Sequence, residues 1–131
     1  MIKKTNLRRL IAVAALALGV TPALAGYKTT VPVYIDSAAR TALGSLGTVR
    51  NSADSNQWIG CSVSSGGTGS PWARCYATNA AGQSVSCTAF DAELVVAAGS
   101  IRPTSYVKFV WDTYGECTQI RVENWSAYRP M

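Results

Sequence analysis

The feature that most constrains the fold is a set of three short runs between residues 58 and 90, each centred on a cysteine, in which small apolar and polar residues alternate. Side chains in a β-strand point to opposite faces with period two, so this alternation predicts three half-buried strands. The connecting residues 64–71 and 79–82 are rich in Gly, Ser and Asn, which favour turns. The stretch therefore predicts a three-stranded antiparallel meander.

The meander has a definite predicted register. If each hairpin closes at its midpoint, Cys61 lies opposite Cys75, and Cys75 lies opposite Cys87. A slip of one residue would turn all these side chains to the other face, so the apolar pattern fixes the pairing. The odd-numbered face is then apolar, and the even-numbered face pairs Trp72 with Phe90, Arg74 with Thr88 and Tyr76 with Ser86.

The segments before the meander give weaker signals. Residues 27–36 alternate as a strand, and Pro32 places that strand at a sheet edge because proline cannot donate to a ladder. Residues 38–49 have helical spacing, but two glycines weaken a helix there, and we leave them unassigned. Residues 50–57 are polar and predict a loop.

The segments after the meander predict one helix and two further strands. Asp91 is suited to cap a helix and Gly99 to stop it. The alternating residues 106–111 predict a strand, residues 112–116 a turn, and the region of Ile120 the return strand. The fold class is accordingly mainly β: a small antiparallel sheet or sandwich-like domain with one short helix and two disulfides.

The first 25 residues predict a signal peptide. A basic beginning, an apolar run over residues 10–20 and the triplet Ala23-Leu24-Ala25 match a secretory signal with cleavage before Gly26. The alternative is an uncleaved membrane anchor, but a span needs ~20 apolar residues. We therefore expect an exported protein, periplasmic or extracellular, in which residues 26–131 form a single β-rich domain.

Removal of that segment changes the charge of the protein. Four of the 12 Lys and Arg lie within it and all seven Asp and Glu follow it, so eight basic residues remain against seven acidic ones, a net charge of +1. The basic patch that a nucleic-acid-binding protein needs is lost. We expect no nucleic-acid partner and no membrane contact after cleavage.

The cysteines predict disulfides. Four cysteines in an exported chain of this size, without a Cys-x-x-Cys pair, favour disulfides over a metal site. We favour Cys61 with Cys75 and Cys87 with Cys117, and the alternative is Cys75 with Cys87 and Cys61 with Cys117. Cys117 is out of phase with the apolar Ile120, which a β-bulge beside the turn would explain.

Several short motifs resemble a group of small secreted bacterial proteins of unknown function. They comprise residues 51–55 before Ile59-Gly60-Cys61, Val110-Trp111-Asp112, residues 115–118 and residues 126–130. The resemblance implies an exported, disulfide-bonded domain. It implies no activity and no site residues.

The inventory for catalysis is poor. The chain has no histidine, which removes Ser-His-Asp and Cys-His arrangements and most zinc chemistry. Asp112 and Glu116 lie four residues apart across a turn, and two carboxylates can perform glycoside hydrolysis; the simpler interpretation is a pair of solvated turn residues. We predict no metal site, no cofactor and no enzymatic activity.

The even-numbered face of the meander is the best candidate for a binding site. Aromatic side chains around one cation can stack on sugar rings or anchor a protein partner. The competing interpretation is that the helix or a second β layer covers this face. We expect a binding module for a glycan or protein, with an inhibitor of another exported protein or a carboxylate-dependent hydrolase as alternatives. The predicted site residues are Trp72, Arg74, Tyr76 and Thr88.

We expect the protein purified from its native compartment to begin at Gly26 and to contain no free thiol. Intact-mass measurement before and after alkylation under denaturing, non-reducing conditions tests both points. Two alkylated thiols would contradict the disulfide framework.

Overall fold

The computed structural model describes residues 26–128 and shows a mainly β fold, which confirms the predicted class. The predicted signal peptide and residues 129–131 lie outside the described residues. Two antiparallel sheets have the strand orders β1-β2-β6-β7 and β3-β4-β5. The elements are β1 Tyr34–Asp36, β2 Thr41–Ser45, α1 Leu46–Arg50, β3 Trp58–Ser64, β4 Trp72–Thr78, β5 Ser84–Ala89, α2 Ala92–Gly99, β6 Tyr106–Trp111 and β7 Cys117–Glu123.

The meander has the predicted register. Cys75 pairs with Cys61 on one side and with Cys87 on the other, and Arg74 pairs with Thr88. On the central strand β4, Ala73, Cys75 and Ala77 are fully buried, whereas the even-numbered side chains from Trp72 to Tyr76 are exposed or half-buried. The alternation of apolar and polar residues therefore set the pairing of the three strands.

The segment before the meander differs from the prediction. The predicted strand over residues 27–36 is wrong for its first part, because regular pairing covers only Tyr34–Asp36. Upstream of it, the backbone N–H of Val31 donates to Thr48 Oγ1 at 3.0 Å and that of Val33 to Gln57 Oε1 at 2.8 Å. The carbonyl of Val31 accepts from the backbone N–H of Ser45 at 2.9 Å, so side chains and single backbone contacts replace a regular ladder here. Residues 38–49, which we left unassigned, form β2 and most of α1. The fold therefore contains this five-residue helix in addition to the one predicted.

Helix α2 begins and ends where the sequence predicts. Asp91 Oδ1 accepts hydrogen bonds from the backbone N–H of Glu93 at 2.9 Å and of Leu94 at 3.2 Å, which satisfies two donors that have no partner within the helix. Val95 and Ala98 are buried and join the core that both sheets line.

The favoured disulfide pairing is confirmed. Cys61–Cys75 joins neighbouring strands of one sheet, and Cys87–Cys117 joins β5 to β7, which belong to different sheets. In the chain-entropy model, closing these loops of 14 and 30 residues stabilises the fold by about 3 and about 4 kcal/mol. The pairing of Val110 with Gln119 and of Trp111 with Cys117 leaves Thr118 as an extra residue. This bulge turns Cys117 toward the core although its position is out of phase with that of Ile120, as the sequence predicted.

Gly44 lies where the first sheet approaches the second. A Cβ atom built there would stand 3.3 Å from both Cα and Cγ2 of Val33, and 3.4 Å from Cγ2 of Ile59 on β3. One of these neighbours is backbone and cannot rotate away. A glycine at this position therefore permits the close approach of β2, the N-terminal segment and β3.

We expect Gly44→Ala to lower the free energy of unfolding by about 1 to 2 kcal/mol. The free-energy cost of overpacking should exceed the stabilisation that alanine gives by reducing the conformational entropy of the unfolded chain. Gly60→Ala is the matched control, since a Cβ on that strand glycine meets nothing within 4 Å. Chemical denaturation measures both variants. Equal stabilities would contradict this account of Gly44.

The C-terminal segment is anchored on the outer surface of the first sheet. Tyr128 is buried, its hydroxyl donates to Glu123 Oε2 at 2.5 Å, and its ring stacks on Tyr106 with centroids 5.5 Å apart. Arg121 forms an ion pair with the same carboxylate. Burial and the hydrogen bond to Glu123 raise the pKa of Tyr128 to about 12. Tyr128 also pairs with Thr29, so the two ends of the described chain meet here.

This pKa predicts a loss of stability at high pH. A tyrosine whose pKa is about 12 in the folded protein and about 10 when unfolded contributes stability below pH ~10 that is lost as the pH rises toward ~12. We expect the free energy of unfolding to fall by about 2 kcal/mol more across this window in the wild type than in Tyr128→Phe. Urea denaturation at successive pH values measures it. The control Tyr114→Phe changes an exposed tyrosine and should show the same dependence of stability on pH as the wild type. If Tyr128→Phe also shows the wild-type dependence, Tyr128 is not the group responsible for the loss of stability.

Candidate functional site

The candidate site is the even-numbered surface of the second sheet, which we call the outer face. It carries Trp58, Trp72, Arg74, Tyr76, Ser86 and Thr88. Trp58 is 48% exposed and Trp72 38%, and the adjoining Phe90 is 64% exposed. Trp58 and Trp72 lie at opposite ends of the ladder between β3 and β4, so exposed aromatic side chains occur at both ends of the outer face.

The alternative in which the helix or a second β layer covers the outer face is wrong for the described part of the chain. Helix α2 contributes Val95 and Ala98 to the cluster that contains Ala73 and Cys75 of the opposite face. The first sheet contributes Val107 and Phe109 to the same cluster. Both candidate covers therefore pack on the odd-numbered side, because that side carries the small apolar residues that allow close packing.

Three side chains of the outer face contact one another in a row. The rings of Trp58 and Tyr76 have centroids 5.5 Å apart, and Arg74 Cζ lies 5.2 Å from the centroid of the Tyr76 ring. A guanidinium at this distance from an aromatic ring makes a cation–π contact. The Tyr76 ring therefore links a tryptophan on one side to an oriented cation on the other.

Arg74 has no carboxylate partner among residues 26–128, where the ion pair found is that of Arg121 with Glu123. Its side chain is exposed, and its neighbour across the ladder, Thr88, is neutral and half-buried. The backbone N–H of Thr88 donates to the carbonyl of Gly115 at 3.0 Å, which fixes the end of β5 against the next turn. The positive charge of Arg74 thus forms no ion pair within the described residues, and the nearest strand neighbour of Thr88 on the far side is Glu116.

The four predicted site residues are brought together, and Phe90 lies just beyond the last paired residues. The ladder between β4 and β5 ends with Ala73 opposite Ala89, so the predicted pairing of Trp72 with Phe90 falls one step outside it. Trp58, which the alternation placed on this face, proves to be a direct neighbour of Tyr76. Whether these residues bind a ligand stays a prediction.

An open cleft of about 250 Å³ lies beside the outer face at the start of β3. It is lined by Leu46, Val49, Arg50, Gln57, Trp58 and Ile59. This cleft was not predicted from the sequence, because it forms where α1 packs against β3 and residues 38–49 were left unassigned. No periodic signal marks a contact between two segments of such different type.

The wall of the cleft is held by a hydrogen-bonded loop. Gln57 Nε2 donates to Asp54 Oδ2 at 2.6 Å, while Gln57 Oε1 accepts from the backbone of Val33. The hydrogen bond from the Gln57 side chain, with further bonds from the backbone of Gln57 and Asn56, lowers the pKa of Asp54 to about 2. Both ends of the Gln57 amide are therefore engaged, and the residue acts as a fixed part of the wall.

The acidic pair Asp112 and Glu116 forms a turn. Asp112 Oδ1 accepts from the backbone N–H of Tyr114 at 2.8 Å and of Glu116 at 2.9 Å, and Gly115 adopts a φ of 82°. These contacts give the Asp112 carboxylate a structural role in the turn, and Glu116 takes part through its backbone N–H. No group of three or more metal-ligating side chains occurs within the described residues.

Comparisons with protein-family models, with curated proteins and with solved structures found no match. None of the helices between residues 26 and 128 has the length and apolar character needed to cross a membrane.

Proposed function

We propose that this protein is an exported, non-enzymatic binding module whose outer face binds a glycan. The observation that carries the proposal is the row formed by Trp58, Tyr76 and Arg74, in which a cation without an ion-pair partner among residues 26–128 lies against the ring of Tyr76, and that ring contacts the exposed Trp58. Trp72 and Thr88 extend this surface on either side.

The composition of the outer face matches the chemistry of a sugar ring. A pyranose presents an apolar C–H surface and a rim of hydroxyl groups, and aromatic rings with polar neighbours complement both. The rings of Trp58, Trp72 and Tyr76 supply the stacking surfaces. Hydroxyl groups of Ser62, Ser64, Ser86 and Thr88 on the same side of the sheet supply hydrogen-bonding partners.

The positive charge of Arg74 indicates that the glycan is acidic. A guanidinium pairs with a carboxylate or phosphate through a planar fork of N–H donors. The contact with Tyr76 orients this fork in advance, which lowers the entropy lost on binding. A uronic acid unit beside a stacked neutral sugar would satisfy both features.

Two further observations support export. Both disulfides are formed and no described cysteine is free, which is typical of an oxidising compartment. The predicted signal peptide agrees with this, and we assign the protein to the periplasm or the extracellular medium.

A protein partner is the second candidate. Trp, Tyr and Arg are the residue types most enriched at the energetic centres of protein interfaces, and the outer face presents all three together. An inhibitor of another exported protein would use the outer face in this way. The hydrolase alternative has no support, since the turn accounts for the hydrogen bonds of Asp112.

We expect the purified protein to bind a uronic-acid polysaccharide and to bind its carboxyl-reduced counterpart at least about tenfold more weakly, a difference of about 1.4 kcal/mol. The double variant Trp72→Ala with Tyr76→Ala should abolish both interactions, because it removes the stacking surfaces. Arg74→Gln should remove the preference for the acidic form and leave residual binding. Isothermal titration calorimetry with the two polysaccharides measures each effect.

The matched control is Tyr34→Ala with Trp125→Ala, which removes two aromatic side chains that are 57% and 62% exposed and lie on β1 of the first sheet and in the C-terminal segment. This variant should bind as the wild type does. If the Trp72 and Tyr76 double variant binds normally, or fails to fold, the outer face is not the binding surface. Retention of one exported protein but no polysaccharide would favour the second candidate.

A further inference from the structure

Three of the four edges of the two sheets are protected against pairing with another strand. β1 has three residues and follows Pro32. β7 carries the charged Arg121 and Glu123 and a bulge at its start. The edge of β5 is covered at Thr88, which forms a β-bridge with Glu116. Short length, charge, bulges and covering contacts are the devices by which proteins blunt sheet edges.

The fourth edge, β3, has no charge, proline or bulge, and α1 packs beside its first residues, Trp58 and Ile59. Its seven residues, Trp-Ile-Gly-Cys-Ser-Val-Ser, contain no charge and no proline, and its pairing with β4 runs without a bulge over the whole strand. A long, uncharged edge is a template for the addition of a further strand.

The phase of the ladder shows which backbone groups β3 presents. Because the N–H of Thr88 points away from β4 to Gly115, the pair of Thr88 with Arg74 is a non-hydrogen-bonded one. Strict alternation then makes the pair of Cys61 with Cys75 non-hydrogen-bonded as well, in agreement with its short Cα–Cα distance of 4.0 Å. Cys61 therefore directs its N–H and C=O to the free edge.

By the same alternation, Ile59 and Val63 also direct their backbone groups outward. None of the hydrogen bonds among residues 26–128 outside the sheet ladders uses the backbone N–H or C=O of these three residues. The edge of β3 is thus a row of available donors and acceptors.

We propose that a second copy of this chain adds to this edge, with β3 antiparallel to β3 about a two-fold axis at Cys61. Cys61 then lies opposite Cys61 of the second copy, and Ile59 lies opposite Val63 of the second copy. These are the residues whose backbone groups point outward, so each pair exchanges two hydrogen bonds. The inference does not depend on the proposed glycan binding.

The side chains are complementary in this register. Val63 is an apolar residue that is 45% exposed at the sheet edge. Across the axis it meets Ile59, beside which lies the cleft lined by Leu46 and Val49. Since side chains of adjacent strand residues point to opposite faces, a cleft lined by both Trp58 and Ile59 lies at the strand edge, where an added strand runs.

The electrostatics favour self-pairing over pairing with a charged strand. β3 has no charged side chain, so two copies meet without like charges opposite one another. The contact is isologous, and the cleft on each subunit receives Val63 of the other. The dimer joins two three-stranded sheets into one of six strands and places the two outer faces side by side.

Sedimentation velocity of the oxidised protein over micromolar to near-millimolar concentrations tests the dimer. We expect a reversible monomer–dimer equilibrium, and we expect Val63→Lys to raise the dissociation constant by about tenfold or more, because it brings a second cation to the cleft that contains Arg50. The matched control Val96→Lys replaces a valine that is 73% exposed on α2, and it should dimerise as the wild type does.

Hydrogen exchange of the unmodified protein provides a test that does not depend on a variant. The amides of Ile59, Cys61 and Val63 should exchange more slowly as concentration rises, whereas the amide of Ser62, which bonds to β4 in either state, should not change. A protein that stays monomeric, a Val63→Lys variant that dimerises normally, or a dimer without protection of these three amides would each overturn the proposal.

Discussion

The disulfide between Cys87 and Cys117 is the covalent link on which the arrangement of the two sheets depends. One cysteine is fully buried in the meander and the other lies at the start of β7 in the other sheet. The core between them is built largely from small residues such as Ala73, Ala77 and Ala89, with Phe109 as its largest fully buried side chain. Burial of small side chains stabilises a fold only modestly, so a covalent link between the layers matters more here than in a core rich in leucine.

That choice of small residues also explains the character of the outer face. Because alanines and cysteines fill the inner face of the second sheet, helix α2 and the first sheet can both pack closely against it. The large aromatic residues of the same strands are left on the other side, with Trp58 and Trp72 exposed to solvent. The large side chains of this sheet therefore lie on its solvent side, and the small ones lie in the core.

The two proposals for this protein use different groups of the same three strands. Glycan binding uses the even-numbered side chains of β3 and β4, whereas dimerisation uses the outward backbone groups of Ile59, Cys61 and Val63. A dimer would place two outer faces on one continuous sheet. Two sites for one polymer then bind with a higher effective concentration than either site alone, provided that the polymer spans both.

Alternation along residues 58–90 by itself determined the meander and its register, because a period of two leaves one register that places Cys61, Cys75 and Cys87 on the same inner face. It left two disulfide pairings open, and only the folded structure joined Cys87 to Cys117. Capping chemistry likewise determined helix α2 from Asp91 and Gly99. The sequence could not determine which side of the sheet is covered, since both faces carry apolar residues and the choice depends on packing between distant segments. It also missed β2, α1 and the cleft beside β3, because the glycines that break the pattern in residues 38–49 serve a tertiary contact. Gly44 shows the reason most directly: its lack of a side chain has no local cause and is explained only by the approach of Val33 and Ile59.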